Sequence, residues 1–325
     1  MYRRILVTLD GTKLAERALG YARILGRSLN VPITLLRVVQ YVPRVSTELN
    51  PVRNVHRTLP YRIDQATIYL TRIAAGLKSD GLDVECIVQE GTPGSVIIEQ
   101  ANLVPGTLVA MSTHSRYGLP RLWFGSVTDE VLRKTEIPML IIGSHVTWDA
   151  ATEPDLDRVI VALDGSDFAE KALPHGAAVA KALGLKVILA KVTPAEGLLF
   201  YEDRVDAPED EINPEDVDSH AKKYLRNIER GLRKQKVRSI GKEVLHGMDA
   251  SVALAEYAAD GGNSLLAVAT HARSGLARGL IGSVADRLVQ ESPNPLLVLH
   301  VVHHGAEDEE SEKVMAEPEP TGAPR

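Results

Sequence analysis

Short apolar runs alternate along the chain with longer stretches in which apolar residues recur every three to four positions. In the first half the short runs are ILVTL, ITLLRVV, VECIVQ, LVAMS and PMLII. They lack the strict alternation of a half-exposed strand, which predicts strands that are buried on both faces. The stretches LAERALGYARILGRSL and RIDQATIYLTRIAAGL have the spacing of amphipathic helices. Strands and helices that alternate in this way predict a parallel sheet covered by helices on both faces.

The whole pattern occurs twice. The first copy contains ILVTLDGTKLAERAL, STHSRYGLPRLWFGS and IPMLII, and the second contains VIVALDGSDFAEKAL, ATHARSGLARGLIGS and NPLLVL in the same order. The offset of about 155 residues exceeds the repeat length of solenoid proteins, which is about 20 to 50 residues. The sequence therefore predicts a duplicated domain, with a doubly wound α/β fold and five parallel strands in each copy.

Composition places the predicted boundaries. We predict a first domain over 1–147, a polar linker over 148–156, a second domain over 157–303 and a tail over 304–325. The tail is acidic, contains Pro and has few bulky apolar residues, so we expect it to be disordered. Irregular segments near 41–60 and 193–213 interrupt the two copies. We expect each segment to be a lid, a binding loop or disordered surface. A length of 325 residues is enough for two separate cores.

Charge and composition exclude several classes of protein. The tail contributes −5 to the net charge of −6, which leaves −1 for the rest of the chain. A nearly neutral body with three Phe and two Trp lacks the basic surface and the stacking rings of a nucleic-acid binder. No apolar stretch approaches the ~18 residues of a membrane span, and Asp10 interrupts the first apolar run too early for a secretion signal. We therefore expect a cytoplasmic protein without nucleic-acid or membrane partners.

Candidate chemistry lies where the predicted strands end. Asp10 and Asp164 follow the first strand of each copy, and the repeated loop leads from the fourth strand into a helix at Gly125 or Gly282. Ligands of open α/β sheets bind at the carboxyl ends of strands, and the free amides of a helix start attract anions. The positions therefore predict an anion site in each copy.

Structural roles are the alternatives for the same residues. Ser126 and Ser283 are each followed three residues later by an aspartate, which fits a helix-capping pattern. Asp10 and Asp164 can equally be helix-capping carboxylates. Cys86 lies in a predicted buried strand, where we expect it to act as a small apolar residue.

The order of an LDG sequence, a THS or THA loop, a nine-residue spacer, GSV and a Pro-led last strand resembles the universal stress protein family, here as a tandem pair. The resemblance covers nearly all of the chain outside the linker and the tail. It implies an adenine nucleotide alpha hydrolase-like fold in each half. In one branch of the family it also implies an ATP site, with Mg²⁺, built on glycine, two residues, glycine, nine residues, glycine and Ser or Thr.

Set against that motif, the spacing is intact but the first two glycines are replaced. Ser112 and Ser115 stand at these positions in the first copy, and Ala269 and Ala272 stand there in the second. A Cβ restricts positive φ and adds bulk beside a ligand, although a small side chain is tolerated where φ is negative. The final glycine and serine of the motif are present in both copies.

The resemblance also implies individual roles. The two aspartates match a carboxylate that contacts the ribose, a valine on the second strand matches a backbone contact to adenine, and the GSV amides match phosphate ligands. The predicted cofactor-binding residues are Asp10, Val38, Ser112, Ser115, Gly125, Ser126, Val127, Asp164, Val192, Ala269, Ala272, Gly282, Ser283 and Val284. No catalytic or metal-binding residue is predicted. The recurring loop histidines, His114 and His271, are expected to orient their loops, and the loop arginines either meet phosphate or are solvated.

Three functions remain open at this point. The first is a nucleotide-responsive regulatory module that binds ATP. The second is a ligand-free interaction scaffold, in which IPMLII and NPLLVL pair the two halves as a homodimer inside one chain. The third is slow ATP hydrolysis with a carboxylate and Mg²⁺. A dedicated enzyme is poorly supported, because the chain lacks a dinucleotide fingerprint, a phosphate loop, a nucleophile elbow and paired zinc ligands.

Overall fold

The computed structural model describes residues 1–40, 58–113, 125–146, 153–194, 214–260, 262–271 and 282–301. In the first half the elements are β1 (Arg4–Thr8), α1 (Lys13–Leu29), β2 (Ile33–Val39), α2 (Leu59–Ser79), β3 (Val84–Glu90), α3 (Pro93–Asn102), β4 (Thr107–Ser112), α4 (Ser126–Lys134) and β5 (Met139–Ile142). In the second half they are β6 (Arg158–Ala162), α5 (Asp167–Glu170), α6 (Ala172–Leu183), β7 (Lys186–Thr193), α7 (Pro214–Lys234), β8 (Ile240–His246), α8 (Ala250–Ala259), β9 (Ser264–His271), α9 (Ser283–Glu291) and β10 (Leu296–Val301).

The strands form one sheet of ten, in the order β3-β2-β1-β4-β5-β10-β9-β6-β7-β8. Within each half every neighbouring pair is parallel. Each half therefore has the doubly wound strand order, which reverses direction between its first and fourth strands. The predicted fold class, two doubly wound five-stranded domains in tandem, is confirmed.

The two halves meet at a seam between β5 and β10, which pair in antiparallel orientation. In this register Leu140 lies opposite Leu297, and Met139 lies opposite Val298. All four side chains are buried. This is the strand pairing that the scaffold hypothesis expects from IPMLII and NPLLVL, and it joins the two five-stranded sheets edge to edge.

The hydrophobic core follows the faces of the sheet and not the halves of the chain. On the face covered by α1, α2, α6 and α7, one cluster of buried residues contains both Ile5 and Val159. On the opposite face a second cluster contains both Leu6 and Ile160. The length of the chain allows one core per half, but the antiparallel seam continues the sheet, so each face buries a core that spans both halves.

The prediction that every strand is buried on both faces is wrong for β3. This strand lies at the edge of the sheet with β2 as its single neighbour among the described strands, and Cys86 within it is exposed. The expected role of Cys86 as a buried apolar residue is therefore also wrong. An edge position removes the cover that a further strand and its helices would provide.

Several predictions fall on residues outside the described ranges. These are the tail over 304–325, most of the two irregular insertions, much of the linker, and the loop residues His114, Ser115, Arg116, Arg121, Ala272, Arg273 and Arg278. The domain boundaries and the disorder of the tail stay predictions. Among the helices that the structure describes, none is both long enough and apolar enough to cross a membrane.

Candidate functional site

Each half passes from its first strand to its first helix through an aspartate at the carboxyl edge of the sheet. The Oδ1 atom of Asp10 accepts hydrogen bonds from the amide (2.8 Å) and the hydroxyl (2.7 Å) of Thr12. Asp164 accepts the same two bonds from Ser166, at 2.8 and 2.6 Å. Both aspartates are exposed, and the hydrogen bonds from Thr12 and Ser166 go to Oδ1 and leave Oδ2 free. The second oxygen of each carboxylate is therefore available to a ligand hydroxyl.

The helix cap itself belongs to Thr12 and Ser166. The Thr12 hydroxyl accepts the amide of Ala15 at 3.1 Å, and the Ser166 hydroxyl accepts the amide of Ala169 at 3.2 Å. The alternative that Asp10 and Asp164 are the capping carboxylates is wrong, because each aspartate holds the capping hydroxyl instead. The carboxylate thus stabilises the turn with one oxygen and leaves the other exposed.

A cation lies beneath each turn. Gly11 has φ +90°, and an added Cβ there would lie 2.6 Å from an amino nitrogen of the Arg37 guanidinium. Gly165 has φ +99°, and its Cβ would lie 3.4 Å from the Lys191 amine. Glycine is required at both turns by the positive φ and, at Gly11, by the close approach of the guanidinium as well.

The two cations belong to matching networks. Arg37 lies over the ring of Tyr69 at 4.9 Å, and the Tyr69 hydroxyl donates to Glu16 at 3.2 Å. Lys191 lies over Tyr224 at 5.7 Å, and the Tyr224 hydroxyl donates to Glu170 at 3.0 Å. In both halves the network links the aspartate turn to the helix that follows the irregular insertion, α2 or α7.

The charges of the second turn influence each other. Partial burial acts to raise the pKa of Asp164, but the hydrogen bonds from Ser166 and the charge of Lys191 outweigh it, so the pKa lies below its ordinary value. Burial lowers the pKa of Lys191, and the nearby Asp164 opposes that change. Asp164 is therefore held as a carboxylate at neutral pH.

The starts of α4 and α9 face the same edge of the sheet. The N-cap residues are Gly125 and Gly282, and neither helix has a side-chain cap. The Gly125 amide donates to the hydroxyl of Thr113 at 3.1 Å, and the Gly282 amide donates to that of Thr270 at 2.7 Å. One amide of each helix start is thus occupied. The amides of the first two helical residues, Ser126 and Val127 or Ser283 and Val284, have no partner among the described residues.

The interpretation of Ser126 and Ser283 as caps is wrong. Both serines occupy the first position inside their helix, and both are exposed. The acid that a capping box requires is engaged elsewhere, since Asp129 accepts from Arg133 at 2.7 Å and Asp286 accepts from Gln290 at 3.1 Å. The helix starts keep the free amides and the positive dipole end that favour an anion.

The remaining predicted residues lie at the carboxyl ends of β2, β4, β7 and β9. Val38 and Val192 are half-buried and pack on the face of the sheet opposite Arg37 and Lys191. Ser112 is the last residue of β4, and its hydroxyl is buried without a hydrogen-bond partner in the described part of the chain. Ala269 occupies the matching position of β9. Neither Ser112 nor Ala269 has a positive φ, so their Cβ atoms cause no backbone strain at the motif's first glycine position.

Twelve of the predicted site residues lie in described parts of the chain, at the ends of the strands or in the turn and helix start beside them. Ser115 and Ala272 lie outside the described residues. Within the described part, no three His, Cys, Asp or Glu side chains are close enough to hold a metal ion.

The model of the universal stress protein family matches the chain twice, over residues 1–143 and 156–300. The chain belongs to the universal stress protein family. Both matches contain an aspartate turn and a glycine-capped helix start, so each universal stress protein domain carries the same elements at its carboxyl edge.

Individual relatives match less than half of the chain. Stress response protein NhaX of Bacillus subtilis is 24% identical over 160 residues, which is 43% of this chain and 96% of that protein. Universal stress protein MJ0531 of Methanocaldococcus jannaschii is 26% identical over 142 residues, which is 44% of this chain and 82% of that protein. These relatives are the length of a single domain, whereas this universal stress protein contains two.

A solved structure matches both halves together. A universal stress protein from Archaeoglobus fulgidus superimposes with a TM-score of 0.65 over 91% of this chain and 98% of that chain, at 18% identity. A functionally unknown protein from Pseudomonas aeruginosa, PA1789, gives 0.60 over 92% of each chain, at 17% identity. At these identities the likeness shows the fold alone, and it extends across both domains.

Two pairs of residues near the site were not among the predicted ones. Arg37 and Lys191 occupy equivalent positions in the apolar runs ITLLRVV and VILAKVT, where a charge is unusual for a central strand. Thr113 and Thr270 belong to the repeated loop sequence, immediately after its first residue. The signals were a cation inside an apolar run and a hydroxyl that recurs in both copies.

Proposed function

We propose that this universal stress protein binds an adenine nucleotide, ATP with Mg²⁺, at the carboxyl edge of each half and acts as a nucleotide-responsive regulatory module in a stress response. The observation that carries the proposal is the helix start at Ser126 or Ser283, with a glycine cap, open amides and no side-chain cap. An exposed aspartate turn lies at the same edge of each half.

The residues present fit a nucleotide at both edges. The open amides suit phosphate oxygens, and the free Oδ2 of Asp10 or Asp164 suits a ribose hydroxyl. The main chain after Val38 or Val192 suits the edge of adenine, because it lies where β2 or β7 ends. Because φ is not positive at Ser112 or Ala269, a side chain at these two glycine positions of the motif does not strain the backbone. A bound nucleotide would supply the conformational signal, and the chain's own residues would hold and orient it.

Calorimetric titration with ATP and Mg²⁺ tests the proposal directly. We expect wild type to bind ATP and the double variant Asp10→Ala/Asp164→Ala to bind it about tenfold more weakly or worse, because each site loses a charged hydrogen-bond acceptor. Asp83→Ala is the matched control, since Asp83 is also an exposed aspartate but precedes β3 at the opposite edge of the sheet. Equal affinities for the double variant and the control would refute the assigned role of the aspartates.

The alternative is a ligand-free interaction scaffold of the same fold, which the pairing of β5 with β10 favours. Wild type that gives no heat with ATP and retains no nucleotide through purification would decide for the scaffold. Slow hydrolysis is supported only if phosphate release exceeds a control without protein and disappears in the aspartate variants. The three functions therefore give different results with the same set of proteins.

A further inference from the structure

We call the aspartate turn and the helix start at the carboxyl edge of each half a cleft: Asp10 and Ser126 mark the first cleft, and Asp164 and Ser283 mark the second. The two clefts differ in the hydrogen-bond donors that they leave free. Arg37 is half-buried against Gly11 and lies over Tyr69, yet its guanidinium makes no hydrogen bond with the described residues. Lys191, its counterpart, donates a hydrogen bond to the main-chain oxygen of Asp164. The second half thus uses its cation to hold the turn, whereas in the first half no described residue accepts a hydrogen bond from the guanidinium beside the turn.

The last residue of the fourth strand gives a second, independent difference. The buried Ser112 hydroxyl has no partner among the described residues, and Ala269 at the matching position has no hydroxyl at all. Ser112 lies two residues after Ala110, whose side chain belongs to the core on the α1 face, so Ser112 is on the same face of the sheet as Arg37. The turn that carries Asp10 follows β1, which lies between β2 and β4.

We infer that the two clefts are not equivalent, and that the first cleft is the tighter nucleotide site because Arg37 and Ser112 offer donors that the second cleft lacks. A buried hydroxyl without a partner destabilises the unliganded protein, and a ligand that pairs with it recovers that loss. A guanidinium presents five donors to anionic oxygens, and here none of them is already engaged by a described residue. The inference rests on the proposed function, since it concerns the same nucleotide.

Separate measurement of each cleft tests the inference. Asp164→Ala leaves the first cleft intact and Asp10→Ala leaves the second, so ATP titration of these two variants assigns each affinity. We expect Asp164→Ala to retain the tighter site and Asp10→Ala to lose it. Retention of the tighter site by Asp10→Ala, or equal affinities in the two variants, would overturn the inference.

Residue exchanges between the halves identify the cause. Ser112→Ala and Arg37→Lys convert the first cleft towards the second, and we expect each to weaken the tighter site by roughly fivefold to tenfold. Asp83→Ala, at the opposite edge of the sheet, is the matched control and should leave the affinity of the tighter site unchanged. Unchanged ATP affinity in both Ser112→Ala and Arg37→Lys would contradict the assigned donors.

Thermal unfolding without nucleotide gives a readout that does not depend on binding. Removal of the unpaired hydroxyl in Ser112→Ala should keep or raise the unfolding temperature, whereas loss of a structural bond would lower it. A lower unfolding temperature for Ser112→Ala would overturn the view of this hydroxyl as free for a ligand. If wild type binds no ATP, both the proposed function and this inference are wrong. If the two clefts bind ATP with equal affinity, only this inference is wrong.

Discussion

The centre and the edge of the ten-stranded sheet are built from similar apolar runs, but they differ in exposure. Every residue of β5 is buried, and so is every residue of β10. In β3 a single residue, Val84, is buried, and the others are half-buried or exposed. Burial of a strand is therefore set by its neighbours in the sheet, because β5 gains a partner from the other half and no described strand pairs with the outer side of β3.

Charge distinguishes the edge from the seam. The edge strand β3 contains Glu85 and Glu90, and the opposite edge strand β8 contains Lys242 and Glu243, whereas β5 contains no charged residue. Charged side chains on an edge strand discourage pairing with another chain. The seam strands lack this protection because they already pair with each other, so the duplication has converted two edges into the centre of the sheet.

Truncation of a buried side chain at the seam should cause the largest loss of stability. Leu297 is fully buried opposite Leu140, and we expect Leu297→Ala to lower the free energy of unfolding by about 2 to 5 kcal/mol through lost burial and a residual cavity. Denaturant unfolding followed by circular dichroism measures the change. Leu103→Ala is the matched control at an exposed leucine (63% exposed), and we expect a change of about 0.5 kcal/mol or less. Equal losses in the two variants would contradict a buried seam.

Acid should destabilise the fold through His175, a buried residue at a second contact between the halves. The Tyr2 hydroxyl lies 2.8 Å from Nδ1 of His175, and burial lowers the pKa of His175 from 6.5 to about 4. The unfolded chain therefore binds this proton first as the pH falls, so the stabilisation is complete above about pH 6.5 and is lost towards pH 4. We expect His175→Gln to reduce the loss of unfolding free energy between pH 7.5 and pH 5.

The control for this pH dependence is Tyr2→Phe. It removes the hydroxyl but keeps the ring that buries His175, and burial is the main cause of the lowered pKa. The Tyr2→Phe variant should therefore retain the wild-type pH dependence. A wild-type slope in His175→Gln would show that this histidine does not contribute to the acid sensitivity of the fold.

The fold could be predicted from sequence because it rests on local periodicity and on the repeat. The apolar runs ILVTL, ITLLRVV and LVAMS predict β1, β2 and β4 to within one residue of their observed ends. Exposure of Cys86 could not be predicted in this way, because a run of apolar residues does not reveal the order of strands in a sheet. The cores that span both halves follow from the antiparallel seam, which depends on contacts far apart in the chain.

The candidate site was predictable in outline, since Asp10 and Gly125 belong to repeated sequences at strand ends. The hydrogen bonds of the site could not be predicted from the sequence. The distinction between Thr12 as cap and Asp10 as its support depends on which oxygen accepts which amide. The difference between Arg37 and Lys191 likewise depends on whether the cation reaches a main-chain oxygen, which side-chain length alone does not specify.

The smallest effect should come from the edge strand. Cys86 is exposed on β3, so Cys86→Ser should change the free energy of unfolding by about 0.5 kcal/mol or less. The native protein should react with one equivalent of a thiol reagent, since the chain has a single cysteine. Partial burial raises the pKa of this thiol, and the thiolate is the reactive form, so the labelling rate should rise steeply with pH. Labelling that requires denaturant would place Cys86 in a covered strand and remove the contrast between edge and seam.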